Sequence, residues 1–162
     1  MLTQTTTQRI HQLIADKKHM PGALLPILHD IQDAVGYVPP EMVGDIAAAL
    51  NQSRAEVHGV ISFYHHFRSE PAGKTVVQIC RAEACQSMGS ERLWEHACSH
   101  LGVSHAAGHG EDTTADGAVT LLPVYCLGLC SSSPAMVVND KLHARVDTDK
   151  FDTLVAAARS VA

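Results

Sequence analysis

Cysteines are the residues of this chain that are best placed to do chemistry, and four of the five form two close pairs. Four residues separate Cys80 from Cys85, and three separate Cys126 from Cys130. Each pair follows a short apolar run rich in β-branched residues, which is typical of a buried strand. Two thiols at each of two strand ends can supply two thiolates to each iron of a [2Fe–2S] cluster. The pattern therefore predicts that these four cysteines ligate one such cluster.

The residues between the paired cysteines also suit an inorganic cluster. Ala82, Ala84 and Gly128 are small, so both loops can wrap closely around a bound group. Backbone N–H groups in such loops can point at the sulfurs and stabilise the negative charge that reduction adds. Gly128 lies midway between its two cysteines, and we expect it to allow a close approach of the backbone.

The spacing also leaves zinc open as the metal. Structural zinc sites use cysteine pairs separated by two to four residues, and both pairs here fall within that range. A dithiol oxidoreductase is disfavoured because the chain has no C-x-x-C motif. A plant-type ferredoxin would need a third cysteine at the position of Met88.

Other residues with the chemistry to bind metal or tune a cluster carry weaker signals. Cys98 shares a predicted apolar helix face with Leu93 and Leu101, so its spacing favours core packing over ligation. Arg81, inside the first cysteine loop, either offsets the charge of a reduced cluster or is simply exposed. A metal cluster built on His105 and its neighbours is disfavoured, because that Gly-rich stretch has no regular ligand spacing.

Composition excludes several classes of protein. The chain has 162 residues, of which 46% are apolar, and a net charge of −5, so it can form a sizeable core in one or two small domains. Its Lys and Arg are scattered, which argues against a nucleic-acid partner.

No apolar run approaches the roughly 20 residues that span a bilayer. The N-terminus lacks the pattern of a signal peptide. We therefore expect a cytoplasmic protein without membrane insertion, in which paired cysteines bind metal rather than form disulfides.

Residues 1–70 are predicted to form an N-terminal helical bundle. Apolar residues recur at helical spacing in four short segments, each with a single apolar stripe. The helices are expected around Ile10–Ile14 and ending near Met20, from Leu24 to a C-cap at Gly36, from Pro39-Pro40 to Leu50, and from a capping box at Ser53–Glu56 to about Ile61.

Residues 74–162 are predicted to form a second domain with a small mixed sheet, which makes the fold class α/β (α+β). Strands are expected at Thr75–Ile79, Val119–Tyr125, Ala135–Val138 and Leu142–Val146, and helices at Ser90–Leu101 and after Asp147 or Thr148. The stretch 102–118 is predicted as a loop with a short edge strand near Glu111–Thr114. Pro123 indicates a sheet edge or a strand end, and Asn139-Asp140 indicates a hairpin turn.

Three segments of the chain resemble the thioredoxin-like [2Fe–2S] ferredoxin family. They are Leu25–Gln32 with Gly36–Pro39, Glu56–Tyr64, and Cys126–Cys130 followed by Ser133–Met136. The family includes the small iron–sulfur subunit of respiratory complex I and the corresponding subunits of NAD-reducing hydrogenases and of NAD-dependent, molybdenum-containing formate dehydrogenase. The resemblance implies a thioredoxin-like fold for residues 74–162 and maps the four cluster ligands onto Cys80, Cys85, Cys126 and Cys130.

Within that family, the sequence between Cys80 and Cys85 looks most like the gamma subunit of formate dehydrogenase. The resemblance implies an electron-transfer subunit without catalytic residues of its own. Its partners would be a flavoprotein that binds FMN and NAD and a large iron–sulfur subunit that carries the molybdenum cofactor, in a complex that converts formate and NAD⁺ to CO₂ and NADH. The alternatives are the equivalent subunit of complex I or of an NAD-reducing hydrogenase, and a zinc-stabilised assembly module without a redox role.

Overall fold

In the computed structural model, which describes residues 2–104 and 112–161, the chain divides into two units, Met1–Pro71 and Ala72–Ala162. The described part of the first unit is helical, with a short 3-10 turn at Pro40–Met42 before its third helix. Its α-helices are α1 (Gln4–Lys17), α2 (Leu24–Val35), α3 (Val43–Leu50) and α4 (Arg54–Phe63). No helix in the described ranges is both long enough and apolar enough to cross a membrane.

Local sequence sets the limits of these helices. The Ser53 hydroxyl accepts a hydrogen bond from the Glu56 N–H at 3.1 Å, and the Glu56 carboxylate accepts one from the Ser53 N–H at 2.7 Å. These two bonds are the predicted capping box, which satisfies N–H groups left free at a helix start. Gly36 ends α2 with φ at +90°, as its predicted C-cap role requires. The third helix begins later than predicted, because Pro40 opens the 3-10 turn instead.

The apolar stripes of these helices form the core of the first unit. Fully buried members of that core are Ile10, Ile27, Leu28, Ile31, Ile46 and Val57. Gln32 is the buried polar residue among them, and both ends of its amide are satisfied. Its side-chain N–H donates to the carbonyl of His66, and its side-chain oxygen accepts from the N–H of Arg68, both at 2.7 Å. The segment that follows α4 is thus fixed to α2.

The second unit contains a mixed sheet in the strand order β2-β3-β1-β4-β5. Its strands are β1 (Thr75–Cys80), β2 (Asp112–Thr113), β3 (Val119–Val124), β4 (Met136–Val138) and β5 (Lys141–His143). Strand β1 runs parallel to β3 and antiparallel to β4. The helices are α5 (Glu83–Ser87), α6 (Ser90–Leu101) and α7 (Thr148–Val161). Apolar residues of β1, β3 and β4 pack with α6 and α7 into one core.

The structure selects one of the two positions predicted for Pro123 and shortens the last predicted strand. Pro123 does not lie on an edge strand, because β3 pairs with β1 on one side and β2 on the other. Among the described residues, β2 pairs with Thr120 and Leu121. Pro123 is the penultimate residue of β3, so it lies at a strand end, the second of its two predicted positions. The predicted last strand is shorter than expected, Lys141–His143 rather than Leu142–Val146. The predicted edge strand is found at Asp112–Thr113, whereas His105, His109 and Glu111 lie outside the described residues.

The hairpin between β4 and β5 forms as predicted. Its two turn residues, Asn139 and Asp140, have φ angles of +44° and +68°. Positive φ at both positions gives the twist that joins neighbouring antiparallel strands, and Asn and Asp tolerate it better than most residues. The Asn139 side chain also accepts a hydrogen bond from the Val76 N–H at 2.8 Å, which fixes the turn to β1.

Candidate metal centre

The two cysteine loops leave the sheet at the same end, where β1 and β3 both finish. Strands β1 and β3 are parallel neighbours, and Cys80 at the end of β1 is in register with Val124 at the end of β3. The Cys80 and Cys85 thiols lie close enough to shift each other's pKa, and the Cys126 and Cys130 sulfurs lie 3.8 Å apart. All five cysteines fall within the described residues, and each is a free thiol.

The two cysteine pairs differ in their exposure to solvent. Cys80 and Cys85 are buried, each with 2% of its surface exposed, and they pack against Ala135. Cys126 and Cys130 are exposed. We refer to Cys80 and Cys85 as the inner pair and to Cys126 and Cys130 as the outer pair. The inner pair is shielded from water by apolar side chains, whereas the outer pair opens to the surface.

Backbone N–H groups point at the sulfurs, as expected for a centre that holds negative charge. Burial raises the pKa of Cys80, whereas the backbone N–H groups of Ala82 and of Leu127, which belongs to the other cysteine loop, act to lower it. The Gly128 N–H donates to the Cys126 sulfur at 3.4 Å. Gly128 has φ at +75°, and a Cβ there would meet nothing within 4 Å. Its backbone angle, rather than the close approach expected from the sequence, is what favours glycine here.

Ser133 joins the two pairs, and its role was not predicted from the sequence. Its hydroxyl lies 3.5 Å from the Cys85 sulfur and donates to the Cys130 carbonyl at 2.8 Å. It precedes Pro134, and the peptide bond between them is cis. The only sequence signal for this residue was its place at the start of the Ser133–Met136 segment that resembles the family.

Burial and neighbouring groups shift the pKa values of three of these thiols. Burial raises the pKa of Cys80 above that of an ordinary thiol. Burial acts in the same direction on Cys85, but its interactions with Ser133 and with Cys80 outweigh burial and lower the Cys85 pKa. The hydrogen bond to Cys126, followed by the charge of Cys126, raises the pKa of Cys130. Four thiolates crowded together repel one another, so this set favours bound metal cations when all four are deprotonated.

Arg81 is neither exposed nor free to offset the charge of a cluster on its own. Its Nε and Nη2 atoms donate to the two carboxylate oxygens of Glu91 at 2.9 and 2.7 Å. This ion pair lowers the pKa of Glu91. The guanidinium carbon also lies 4.9 Å from the centre of the Trp94 ring. Arg81 therefore fixes the first cysteine loop to α6, and Glu91 neutralises much of its charge.

We expect Arg81→Met to lower the free energy of unfolding by about 1 kcal/mol. The variant loses a bidentate ion pair and a cation–π contact, but solvent screening weakens the pair because 44% of the Glu91 side chain is exposed. Urea unfolding, followed through the fluorescence of Trp94, measures the change. Arg92→Met, at an exposed position on the same helix, is the matched control and should change stability by less than about 0.5 kcal/mol. Equal losses in both variants would contradict a specific role for the Arg81–Glu91 pair.

Comparison with curated proteins identifies similar chains of comparable length. NADH-quinone oxidoreductase subunit 2 of Thermus thermophilus is 34% identical over 140 residues, which cover 86% of this chain and 75% of that protein. An NADH-quinone oxidoreductase subunit of Rhizobium meliloti is 32% identical over 156 residues, which cover 96% of this chain and 90% of that protein.

Solved structures share the fold at lower sequence identity. A chain of an NAD⁺-reducing [NiFe]-hydrogenase in its air-oxidised state superposes with a TM-score of 0.67 at 21% identity. The match covers 89% of this chain but only 24% of the hydrogenase chain, so it supports the fold and no more. The family model for the thioredoxin-like [2Fe–2S] ferredoxins matches residues 10–159, nearly the whole sequence. This chain therefore belongs to the thioredoxin-like [2Fe–2S] ferredoxin family.

Proposed function

We propose that Cys80, Cys85, Cys126 and Cys130 hold one [2Fe–2S] cluster and that the chain carries single electrons as a subunit of an NAD-linked oxidoreductase. The observation that carries this proposal is that two loops bring four free thiols to one end of the sheet, where Cys80, Cys85 and Cys126 all act on the pKa of Cys130. A cluster held by four thiolates supplies one-electron chemistry when bound.

The chain's own residues fit such a group. Thiolates are the donors that iron–sulfur clusters require. The N–H groups of Ala82, Leu127 and Gly128 can each stabilise negative charge on a sulfur. The inner pair packs against apolar side chains and excludes water, whereas the outer pair leaves one side open. A redox group on a partner protein can approach from that open side, which suits a carrier rather than a closed structural site.

The parent complex is best proposed as one of the NADH-quinone oxidoreductase type. Relatives more than 30% identical across most of this chain carry that name. They favour that complex over the formate dehydrogenase suggested by the sequence between Cys80 and Cys85. In either setting, we propose that FMN and NAD bind to a partner flavoprotein, and that a molybdenum-bearing large subunit is a partner only in the formate dehydrogenase.

Metal analysis of the anaerobically purified chain tests the cluster. We expect about two irons and two sulfides per chain and a spin-half EPR signal on reduction. A colourless protein with one zinc bound by the same cysteines would overturn electron transfer and support the zinc-stabilised module.

Purification of the native complex tests the parent. Membrane-bound NADH-quinone reductase activity supports the respiratory complex. Molybdenum with formate-dependent NAD⁺ reduction would move the assignment to formate dehydrogenase, and nickel with hydrogen-dependent NAD⁺ reduction would move it to a hydrogenase.

We expect Ser133→Ala to make the reduction potential of the cluster more negative by roughly 20–60 mV. The Cys85 thiol donates to this hydroxyl at 3.5 Å, and the hydroxyl donates to the Cys130 carbonyl. Once Cys85 is deprotonated to bind the cluster, the hydroxyl can rotate to donate to its sulfur. Loss of the hydroxyl removes this donor, which favours the more negative, reduced state. A net hydrogen bond of about 0.5–1.5 kcal/mol converts to that range for one electron. A potentiometric titration followed by EPR measures the shift.

Ser131→Ala is the control for this measurement. Ser131 is exposed in the same loop, and its replacement should leave the potential unchanged. A shift of the same size in both variants, or none in Ser133→Ala, would show that the Ser133 hydroxyl does not act on the cluster.

A further inference from the structure

Two histidines and one aspartate form a group of possible metal ligands between α6 and α7. His96 and His100 are four residues apart on α6 and therefore lie on the same helix face. Nε2 of His96 lies 2.7 Å from Oδ1 of Asp152 on α7, and Nδ1 of His100 lies 3.3 Å from the same oxygen. One ligand atom from each of the three residues lies within 4.8 Å of the other two.

Packing holds the two imidazole rings in place. Phe151 is fully buried beneath them and meets both rings edge to face, with ring centres 5.8 Å away for His96 and 6.0 Å for His100. The three side chains themselves remain 32–41% exposed, so an ion can enter from solvent. Because packing already restricts the orientation of the rings, binding an ion costs less conformational entropy. The exposed side leaves the group open to the ion.

The donor set selects the class of ion. Two imidazole nitrogens and one carboxylate oxygen match Zn²⁺, which binds such sets tetrahedrally with water as the fourth ligand. Ca²⁺ and Mg²⁺ prefer sites made of oxygen atoms alone. We propose that His96, His100 and Asp152 form a Zn²⁺ site that is separate from the four-cysteine centre and shares no ligand with it.

Binding at this site connects two helices. An ion held by residues of both α6 and α7 crosslinks them, and the unfolded chain does not hold the three ligands together. Zn²⁺ therefore stabilises the folded second unit by an amount that grows with the logarithm of the free zinc concentration once that exceeds the Kd.

Equilibrium dialysis of the full chain against Zn²⁺ tests the site. The cysteines also bind zinc, so the metal in the four-cysteine centre is counted beforehand and again afterwards. We expect one additional zinc per chain with no loss of the metal already present, together with a higher melting temperature. His96→Gln and Asp152→Asn should each weaken this additional binding by at least about tenfold, since even a lost hydrogen-bonding partner of a ligand costs about 10–100-fold.

His11→Gln is the matched control. His11 contacts Asp45 at 2.8 Å in the same kind of His–Asp pair, but the described residues place no second histidine in a ligand group with it. This variant should bind zinc as the parent chain does. Failure to bind an additional zinc, binding that displaces the existing metal, or equal affinity in His96→Gln and the parent would each overturn the site. The three residues would then form only an ion-pair network.

Discussion

Replacing Cys85 by alanine is expected to abolish assembly of the iron–sulfur cluster. The Cys85 thiol belongs to the inner pair, is buried in the same apolar cluster as Cys80 and lies 3.5 Å from the Ser133 hydroxyl. Alanine offers no donor to replace it, and a [2Fe–2S] cluster needs two ligands on each iron. The iron content of the anaerobically purified chain should fall from about two per chain to near zero, and the EPR signal of the reduced protein should disappear.

Cys98→Ala provides the matched control for this result. Cys98 lies on the buried face of α6, in the core of the second unit. It is outside the apolar cluster that surrounds the inner pair. Its variant should keep its iron and its EPR signal, and circular dichroism of both variants checks that the chain still folds. Full iron content in Cys85→Ala, or cluster loss in Cys98→Ala, would show that the ligand set is wrong.

The largest expected change in stability follows from Phe151→Ala. Phe151 is fully buried between α7 and the sheet and also supports the rings of His96 and His100. Removing a buried phenyl ring leaves a cavity and costs about 3–5 kcal/mol of unfolding free energy. We expect the midpoint of urea unfolding to fall while its slope stays the same.

Trp94 makes this measurement specific to the second unit. It is the single tryptophan of the chain and lies in the same core as Phe151, so its fluorescence follows that unit. Leu142→Ala is the control, because Leu142 is an apolar residue of the same unit with 56% of its surface exposed. It should change stability by less than about 0.5 kcal/mol, and a loss comparable to that of Phe151→Ala would contradict the core position of Phe151.

Local signals in the sequence predicted much of the fold. The capping box at Ser53, the C-cap at Gly36 and the turn at Asn139-Asp140 each act over a few residues, and each is found where it was predicted. The helix Ser90–Leu101 was also predicted at its observed limits, because its apolar residues recur over three turns. Two cysteine pairs that follow apolar runs were also enough to predict that each pair lies at the end of a strand, as it does at β1 and β3.

Features that depend on distant contacts were missed. The five-residue helix α5 begins inside the first cysteine loop and contains Cys85, and it is too short to show a helical period. The pairing of Arg81 with Glu91 depends on how the chain turns through α5 into α6. Asp152 is 52 residues from His100 in the sequence, so only the packing of α7 on α6 reveals that they are neighbours. Ser133 reaches Cys85 only because β4 returns beside β1.

The unequal burial of the two cysteine pairs sets the order in which damage reaches the centre. Oxidants, chelators and alkylating reagents act first on thiols that solvent can reach, and Cys126 and Cys130 are the exposed ones. Attack therefore begins at the second loop, while Cys80 and Cys85 remain covered by Ala135 and its apolar neighbours. A partner that covers the outer pair in a complex would thus act as a chemical shield for the whole centre.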